Sequence, residues 1–278
     1  MVQITAADVN KLRQITGAGM MDCKKALVEA EGDFDAAIDI LRKKGQKVAA
    51  NRADRESTEG VVIAATNANA TVGYLVSVNC ETDFVAKNEG YVNMAKTILN
   101  AALSNDAADK DAVLALPFDG TMTIGEKLIE QTGVIGEKIE LGAYERIEGA
   151  LVASYIHAGS KLATLVAVNS PGEGVASAAR DVAMQVAAMN PVSVDASSVP
   201  AEVIAKELEV GKELARQEGK AEAMLDKIAE GRLKKFFRES TLMEQDFIKD
   251  SKKTISQYLN EVEKGLVVTS FKRVGLGV

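Results

Sequence analysis

The sequence has 278 residues, 47% of them hydrophobic and 26% charged, a mix that supports two or three domains with ordinary buried cores and excludes a disordered or fibrous chain. A net charge of -7 argues against broad binding to nucleic acid or anionic membranes, because neutralising phosphates needs Lys and Arg clustered on one face. The two cysteines, Cys23 and Cys80, have neither a second Cys nor a His at metal-ligand spacing, which excludes a disulfide framework and a zinc site.

The opening Met1-Val2-Gln3-Ile4-Thr5 lacks the basic and apolar blocks of a signal peptide. No uninterrupted apolar run reaches the roughly 18 residues of a membrane span. The expectation is a cytoplasmic protein that does not contact membranes.

Residues 1 to 45 read as three short helices. Thr5 with Asp8 three residues on has the form of a capping box, and Val9, Leu12 and Ile15 follow as one apolar stripe. Gly17-Ala18-Gly19 breaks that helix. Asp22 suits the cap of a second helix carrying Ala26 and Leu27, and Gly32-Asp33 punctuates before a third with Phe34, Ala37, Ile38 and Leu41. From Arg42 to Arg55, six basic residues face one acidic residue, with little periodicity after Ala50, as in a helix tail that runs into a solvated hinge.

An internal repeat comes next. Gly60-Val61-Val62-Ile63-Ala64 is echoed by Gly149-Ala150-Leu151-Val152-Ala153, and Leu75-Val76-Ser77-Val78-Asn79 by Leu165-Val166-Ala167-Val168-Asn169. Each copy reads as a β-hairpin, with polar turns at Thr66 to Thr71 and His157 to Lys161. Each is followed by a helix, its apolar face marked by Val92, Ala95, Ile98 and Leu99 in one copy and by Ala179, Val182, Ala183 and Val186 in the other.

Residues 198 to 237 are rich in Ala, Glu, Lys and Leu, with Ile204, Leu208, Gly211 and Ala215 in a four-three-four spacing. Ser198 suits the cap and Pro200 the first turn. Gly219-Lys220 suits a turn to a returning helix through Met224, Leu225 and Ile228. The strand-like Leu266 to Phe271 is expected to rejoin the second copy's sheet.

Chemistry has few footholds. No stretch matches GxxxxGK[ST], and Gly17-Ala18-Gly19-Met20-Met21 lacks the last glycine of GxGxxG and follows a helix rather than a strand, so no bound nucleotide or other cofactor is expected. His157 is the only histidine, which excludes a His-based acid/base pair or metal cluster. In Val78-Asn79-Cys80-Glu81-Thr82-Asp83-Phe84-Val85-Ala86-Lys87-Asn88, Phe84 stands in a polar run where a strand ends. Two readings fit: Thr82 or Asp83 caps a helix that Phe84 staples to the core, or Phe84 is a contact residue. The second copy has Ser170-Pro171-Gly172-Glu173 there and no aromatic, which favours contact. Met20 and Met21 at a helix junction suit adaptable protein contacts, with one of them expected to plug the small core.

Two stretches carry a resemblance. Leu12-Arg13-Gln14-Ile15-Thr16-Gly17-Ala18-Gly19-Met20-Met21-Asp22-Cys23-Lys24-Lys25-Ala26-Leu27 and Val78 to Lys87 resemble the two signatures of bacterial elongation factor Ts, and Ser154-Tyr155-Ile156-His157 resembles a further segment of that family. The resemblance implies an α+β fold: a small ubiquitin-associated-like three-helix domain, a core of two related subdomains with antiparallel sheets, and an inserted antiparallel helical hairpin. The domains expected are 1–55 for the helical domain and linker, 56–147 for the first subdomain, 148–197 and 240–278 for the two parts of the second, and 198–239 for the hairpin.

It further implies a non-enzymatic guanine nucleotide exchange factor for elongation factor Tu. A loop of Thr82, Asp83, Phe84 and Val85 would intrude beside that partner's magnesium and phosphate site. Leu12, Arg13, Met20, Met21 and Lys24 would grip its nucleotide-binding domain, and His157 would meet another of its domains. The resemblance requires no direct nucleic-acid contact and allows, without requiring, a homodimer through the hairpin. Longer family members continue with a C-terminal helix that touches the partner, whereas this sequence runs to Phe271-Lys272-Arg273-Val274-Gly275-Leu276-Gly277-Val278. Two other readings are a non-catalytic adaptor or ribosome-associated chaperone, which has no need of the Asp83 and Phe84 loop, and an enzyme that uses carboxylates such as Glu81 and Asp83.

Overall fold

A computed structural model describes residues 3–277; Met1, Val2 and Val278, at the ends of the first and last expected domains, lie outside the described residues. The chain forms two compact units. One is built from the chain up to Ile63, Val76–Glu145 and the chain end from Gly275, the other from Ala64–Leu75 and Arg146–Val274.

The first unit opens with α1 (Ala6–Thr16), α2 (Met20–Glu29) and α3 (Phe34–Asn51). The Thr5–Asp8 capping box forms in both directions, and Gly17 ends α1 in the left-handed conformation. Asp33 caps α3. Asp22 does not cap α2, which starts earlier, with Gly19 at the cap position. The Asp22 carboxylate instead pairs with Lys44 at 2.5 Å. Val9, Leu12, Ala18, Cys23, Ala26, Leu27 and Ala37 form the small core.

α3 continues to Asn51 and crosses a later helix, α7, at the buried Gly45, and a turn follows from Arg52. Arg42, Lys43, Lys44, Lys47 and Arg55 are exposed, as expected of a solvated basic run, and Arg52 is half-buried.

Next come β1 (Glu59–Thr66), β2 (Val72–Cys80), the single-turn α4 (Asp83–Ala86), α5 (Glu89–Ser104), α6 (Lys110–Ala115), α7 (Ile124–Ile135) and β3 (Glu140–Glu148). The strands make one sheet in the order β1-β2-β3. On α5 the buried positions are Tyr91, Met94, Ala95, Ile98, Leu99 and Ala102, the three- and four-residue spacing of a helix with one face inward. Val92, expected on that face, is half-buried, because Tyr91 takes the inner position and donates its hydroxyl to the Val78 carbonyl at 2.8 Å.

The second unit contains β4 (Leu151–Ile156), β5 (Leu162–Val168), α8 (Val175–Met189), α9 (Ala201–Gln217), α10 (Leu225–Ser240), β6 (Asp246–Phe247), β7 (Asp250–Thr254), α11 (Ile255–Val262) and β8 (Val268–Gly275). β4 and β5 pair antiparallel with Leu151 opposite Val168 and Ile156 opposite Ala163, and the sheet order is β4-β5-β8, with the late strand where it was expected. Ala179, Val182, Ala183 and Val186 of α8 are fully buried with Val166, Val168, Leu242, Ile255 and Leu259.

The repeat therefore runs deeper than its hairpins. Each copy has two paired strands, a long helix, an insertion, a helix that opens on a reciprocal capping box (Thr123–Glu126 or Thr254–Gln257) and a third strand. The insertion in the second copy is α9 and α10, which pack where Gly211 meets Ala229 and are cross-linked by Lys212–Asp226 at 2.5 Å and Arg232–Glu218 at 2.6 Å. Ser198 caps no long helix: it joins Asp195 in capping the single turn Ala196–Ser198, and Pro200 is the cap residue of α9. The expected α+β class, with small sheets and a projecting helical hairpin, is the one observed.

Candidate functional site

The segment between β2 and α5 turns on Thr82, which has the extended backbone of a cap residue while its side chain caps nothing. Its hydroxyl donates instead to Oε1 of Glu137 at 2.6 Å. The backbone N–H groups of Glu81 and Thr82 donate to Oε2 of the same carboxylate at 3.1 and 3.0 Å. From the other side, Oε1 of Glu81 accepts the Lys138 N–H at 2.6 Å and Nη1 of Arg52 at 2.6 Å. Buried Cys80 donates to the Thr82 carbonyl at 3.2 Å, and burial raises that thiol to about 11. The base of the segment is thus tied at every polar group of Thr82.

On this base stands α4, and its second residue, Phe84, is 84% exposed. An exposed ring of this size staples nothing to a core, so the packing reading of Phe84 is wrong. Asp83 and Val85 are half-buried and Ala86 buried, which leaves Phe84 as the exposed residue of the turn. Asp83 pairs with Lys87 one turn on, at 2.6 Å.

In the small helical part, Arg13, Met20, Met21 and Lys24 are all exposed. The expectation that one methionine plugs the core is overturned: Met20 is 57% and Met21 63% exposed, because Leu12, Cys23, Ala26 and Leu27 already fill the interior. Leu12, expected among the partner-gripping residues, is corrected for the same reason. It has no exposed surface and lies on the inner face of α1, in the small core. Ile15, expected in the inward stripe, is 58% exposed; with the methionines and Val28 it gives this end of the chain an apolar surface. His157 is exposed at the β4–β5 turn, its Nδ1 3.0 Å from the Tyr155 hydroxyl.

Sequence reading missed Glu137, Lys138 and Arg52. Glu137 lies 55 residues from Thr82 and follows the left-handed Gly136 that ends α7, so no local pattern links the two. Arg52 reads as one cation among several in a basic run.

Glu81 is poorly placed for acid chemistry, since the Lys138 N–H and then Arg52 hold its carboxyl below the usual range. Because folding lowers this acid, its carboxylate stabilises the fold at every pH above the ordinary value of 4.5, and that contribution is lost as pH falls through the lower folded value. Thermal unfolding followed from pH 7 downward is expected to show a steeper loss below about pH 4.5 in the parent than in Glu81→Gln. Equal slopes would mean that the carboxylate is not held. Among the described residues no three His, Cys, Asp or Glu side chains gather to hold a metal, and no helix is long and apolar enough to cross a membrane.

Comparison with known proteins gives the chain a family. A family model described as Elongation factor TS matches residues 81–278. The chain is 57% identical over 277 residues to the elongation factor Ts of Flavobacterium psychrophilum and 53% identical over 277 residues to that of Christiangramia forsetii, with 100% of both chains covered each time. It is 49% identical over 273 residues to that of Porphyromonas gingivalis, with 98% of each covered. The chain belongs to the elongation factor Ts family, translation factors that promote nucleotide exchange and are not catalytic enzymes.

Proposed function

We propose that this protein binds elongation factor Tu in its GDP form and presses Asp83 and Phe84 against the magnesium and phosphate site, so that GDP and magnesium leave and GTP enters. The observation that carries this reading is the 84% exposure of Phe84 on a helical turn whose base is fully hydrogen-bonded. Holding a large apolar ring in water is costly, and a fixed mounting cuts the ordering cost of inserting it elsewhere. Thr82 and Val85 complete the loop. The exposed Arg13, Met20, Met21 and Lys24 support a grip on the nucleotide-binding domain, since methionine adapts to irregular surfaces. His157, exposed beside Tyr155, supports a contact with another partner domain.

The site of action in this reading is the cytoplasm, with no direct nucleic-acid contact. Exposed Val210 and Leu214 on the hairpin support self-association there.

Magnesium demands near-ideal octahedral geometry, so a small displacement of one ligand-bearing segment weakens ion and diphosphate together. A hundredfold weakening corresponds to about 2.7 kcal/mol of differential contact, within reach of one buried Phe and a few charged hydrogen bonds. Coupling is reciprocal, so GDP must weaken binding of this protein by the same factor. Stopped-flow release of fluorescent GDP from elongation factor Tu is expected to accelerate with catalytic amounts of the protein. Titrations with and without GDP are expected to return one common coupling factor. Release at the spontaneous rate would sink the proposal.

A further inference from the structure

We infer that Glu137 is the positioning residue for the Asp83–Phe84 loop: its carboxylate, not a capping side chain within the loop, fixes the direction in which Phe84 points. This inference rests on the exchange reading above. A helix start ordinarily has its first N–H groups satisfied by the side chain of its own cap residue. In α4 that residue is Thr82, and its hydroxyl is turned away to Glu137.

One carboxylate therefore receives three hydrogen bonds from two consecutive loop residues, two on Oε2 and one on Oε1. Three anchors on a planar group fix orientation as well as distance, which a single cap bond does not. The neighbouring Lys138 N–H returns a bond to Glu81, so residues 81–82 and 137–138 are crossed carboxylate to amide in both directions. The mounting is also stiff behind Glu137, because Ile139 is buried and donates its N–H to the buried Thr132 hydroxyl of α7 at 3.0 Å. A force on Phe84 is thus resisted by α7 and β3 rather than absorbed by a loop.

A positioning role predicts a split between two kinetic quantities. The concentration that half-saturates exchange depends on the whole interface, including Arg13, Met20, Met21 and Lys24. The maximal release rate depends on how much of the bound complex has the wedge inserted. Loosening the mount lowers the second far more than the first.

The experiment compares Glu137→Ala, Glu137→Gln, Thr82→Val and Thr82→Ser in full-length protein by two readouts. Amide hydrogen exchange of the free protein is expected to show the Thr82 amide exchanging roughly tenfold faster or more in Glu137→Ala, with α5 and β2 as protected as in the parent. Fluorescent GDP release from elongation factor Tu is expected to lose roughly tenfold in maximal rate, with the half-saturating concentration changed less than threefold. Glu137→Gln, which keeps a carbonyl acceptor, and Thr82→Ser, which keeps the hydroxyl, are expected to retain more than Glu137→Ala and Thr82→Val respectively.

Unchanged maximal rates in both Glu137→Ala and Thr82→Val, with a parent that is active, would overturn the positioning role alone. So would a maximal rate that falls only in step with protection lost throughout the sheet, the mark of a merely structural residue. A parent that does not speed release overturns the exchange reading and the positioning role with it.

Discussion

Alanine at both Asp83 and Phe84 is expected to abolish nearly all acceleration of GDP release from elongation factor Tu while leaving the melting temperature almost unchanged. The two halves of this expectation come from one observation. With 84% of its surface exposed, Phe84 contributes little to the core, so its removal leaves no cavity to destabilise the fold. The Asp83–Lys87 pair is an exposed contact one helical turn apart, a class worth about 0.2–0.5 kcal/mol. In the complex the same groups act differently. Burying a Phe fully is worth about 1.5–3 kcal/mol, and a charged hydrogen bond about as much again. Together they cover a coupling of a hundredfold or more. Phe84→Ala alone is expected to cost roughly tenfold to a hundredfold in maximal release rate, with the double variant near the spontaneous rate. Normal exchange by a folded double variant would show that the wedge lies elsewhere.

What could be read from the residues divides by distance along the chain. The Thr5–Asp8 capping box and the Asp33 cap are contained in three or four residues, and both form as read. The repeated hairpins and the buried face of α8 are patterns of period two and 3.6, and these too appear where read. Residues 105–147 carry α6, α7 and β3; α6 is short and β3 alternates only in part, whereas α7 has a legible start and stop, the Thr123–Glu126 capping box and Gly136, that sequence reading passed over. The exposure of both Met20 and Met21 could not be read either, since it depends on how completely Leu12 and Leu27 fill a core shared by three helices. Phe84 was legible as an anomaly by comparison with the second repeat. The clamp beneath it was not, because Glu137, Lys138 and Arg52 meet residues 81–82 only once α3, β2 and α7 have been folded together.

Gly133→Ala is expected to damage the protein severely, and Gly45→Ala to be tolerated, although the two glycines face each other where α3 crosses α7. A Cβ on Gly133 would sit 2.4 Å from the Gly45 Cα and 3.3 Å from its nitrogen, which is backbone that cannot rotate away. A Cβ on Gly45 finds its nearest neighbour, the Ile129 carbonyl oxygen, at 3.6 Å, an ordinary contact. The first substitution must push the helices apart, and overpacking of this kind costs about 1–3 kcal/mol or more. The second gains the helix propensity of alanine over glycine, up to about 1 kcal/mol, with no clash to offset it. Differential scanning calorimetry is expected to place the midpoint of Gly133→Ala several degrees below the parent, at about 2–4 °C per kcal/mol for a chain of this size, and that of Gly45→Ala at or above it. The functional consequence follows from what the two helices carry. α3 packs under the α1–α2 surface that presents Met20 and Met21, while α7 runs into Gly136 and Glu137 beneath the Phe84 loop. Widening the crossing changes the spacing between grip and wedge, so Gly133→Ala is expected to raise the half-saturating concentration for exchange roughly tenfold or more, a penalty of about 1.4 kcal/mol per tenfold. Equal effects at the two glycines would show that α3 and α7 do not touch closely in solution, and that the spacing of the two surfaces is set by something other than this crossing.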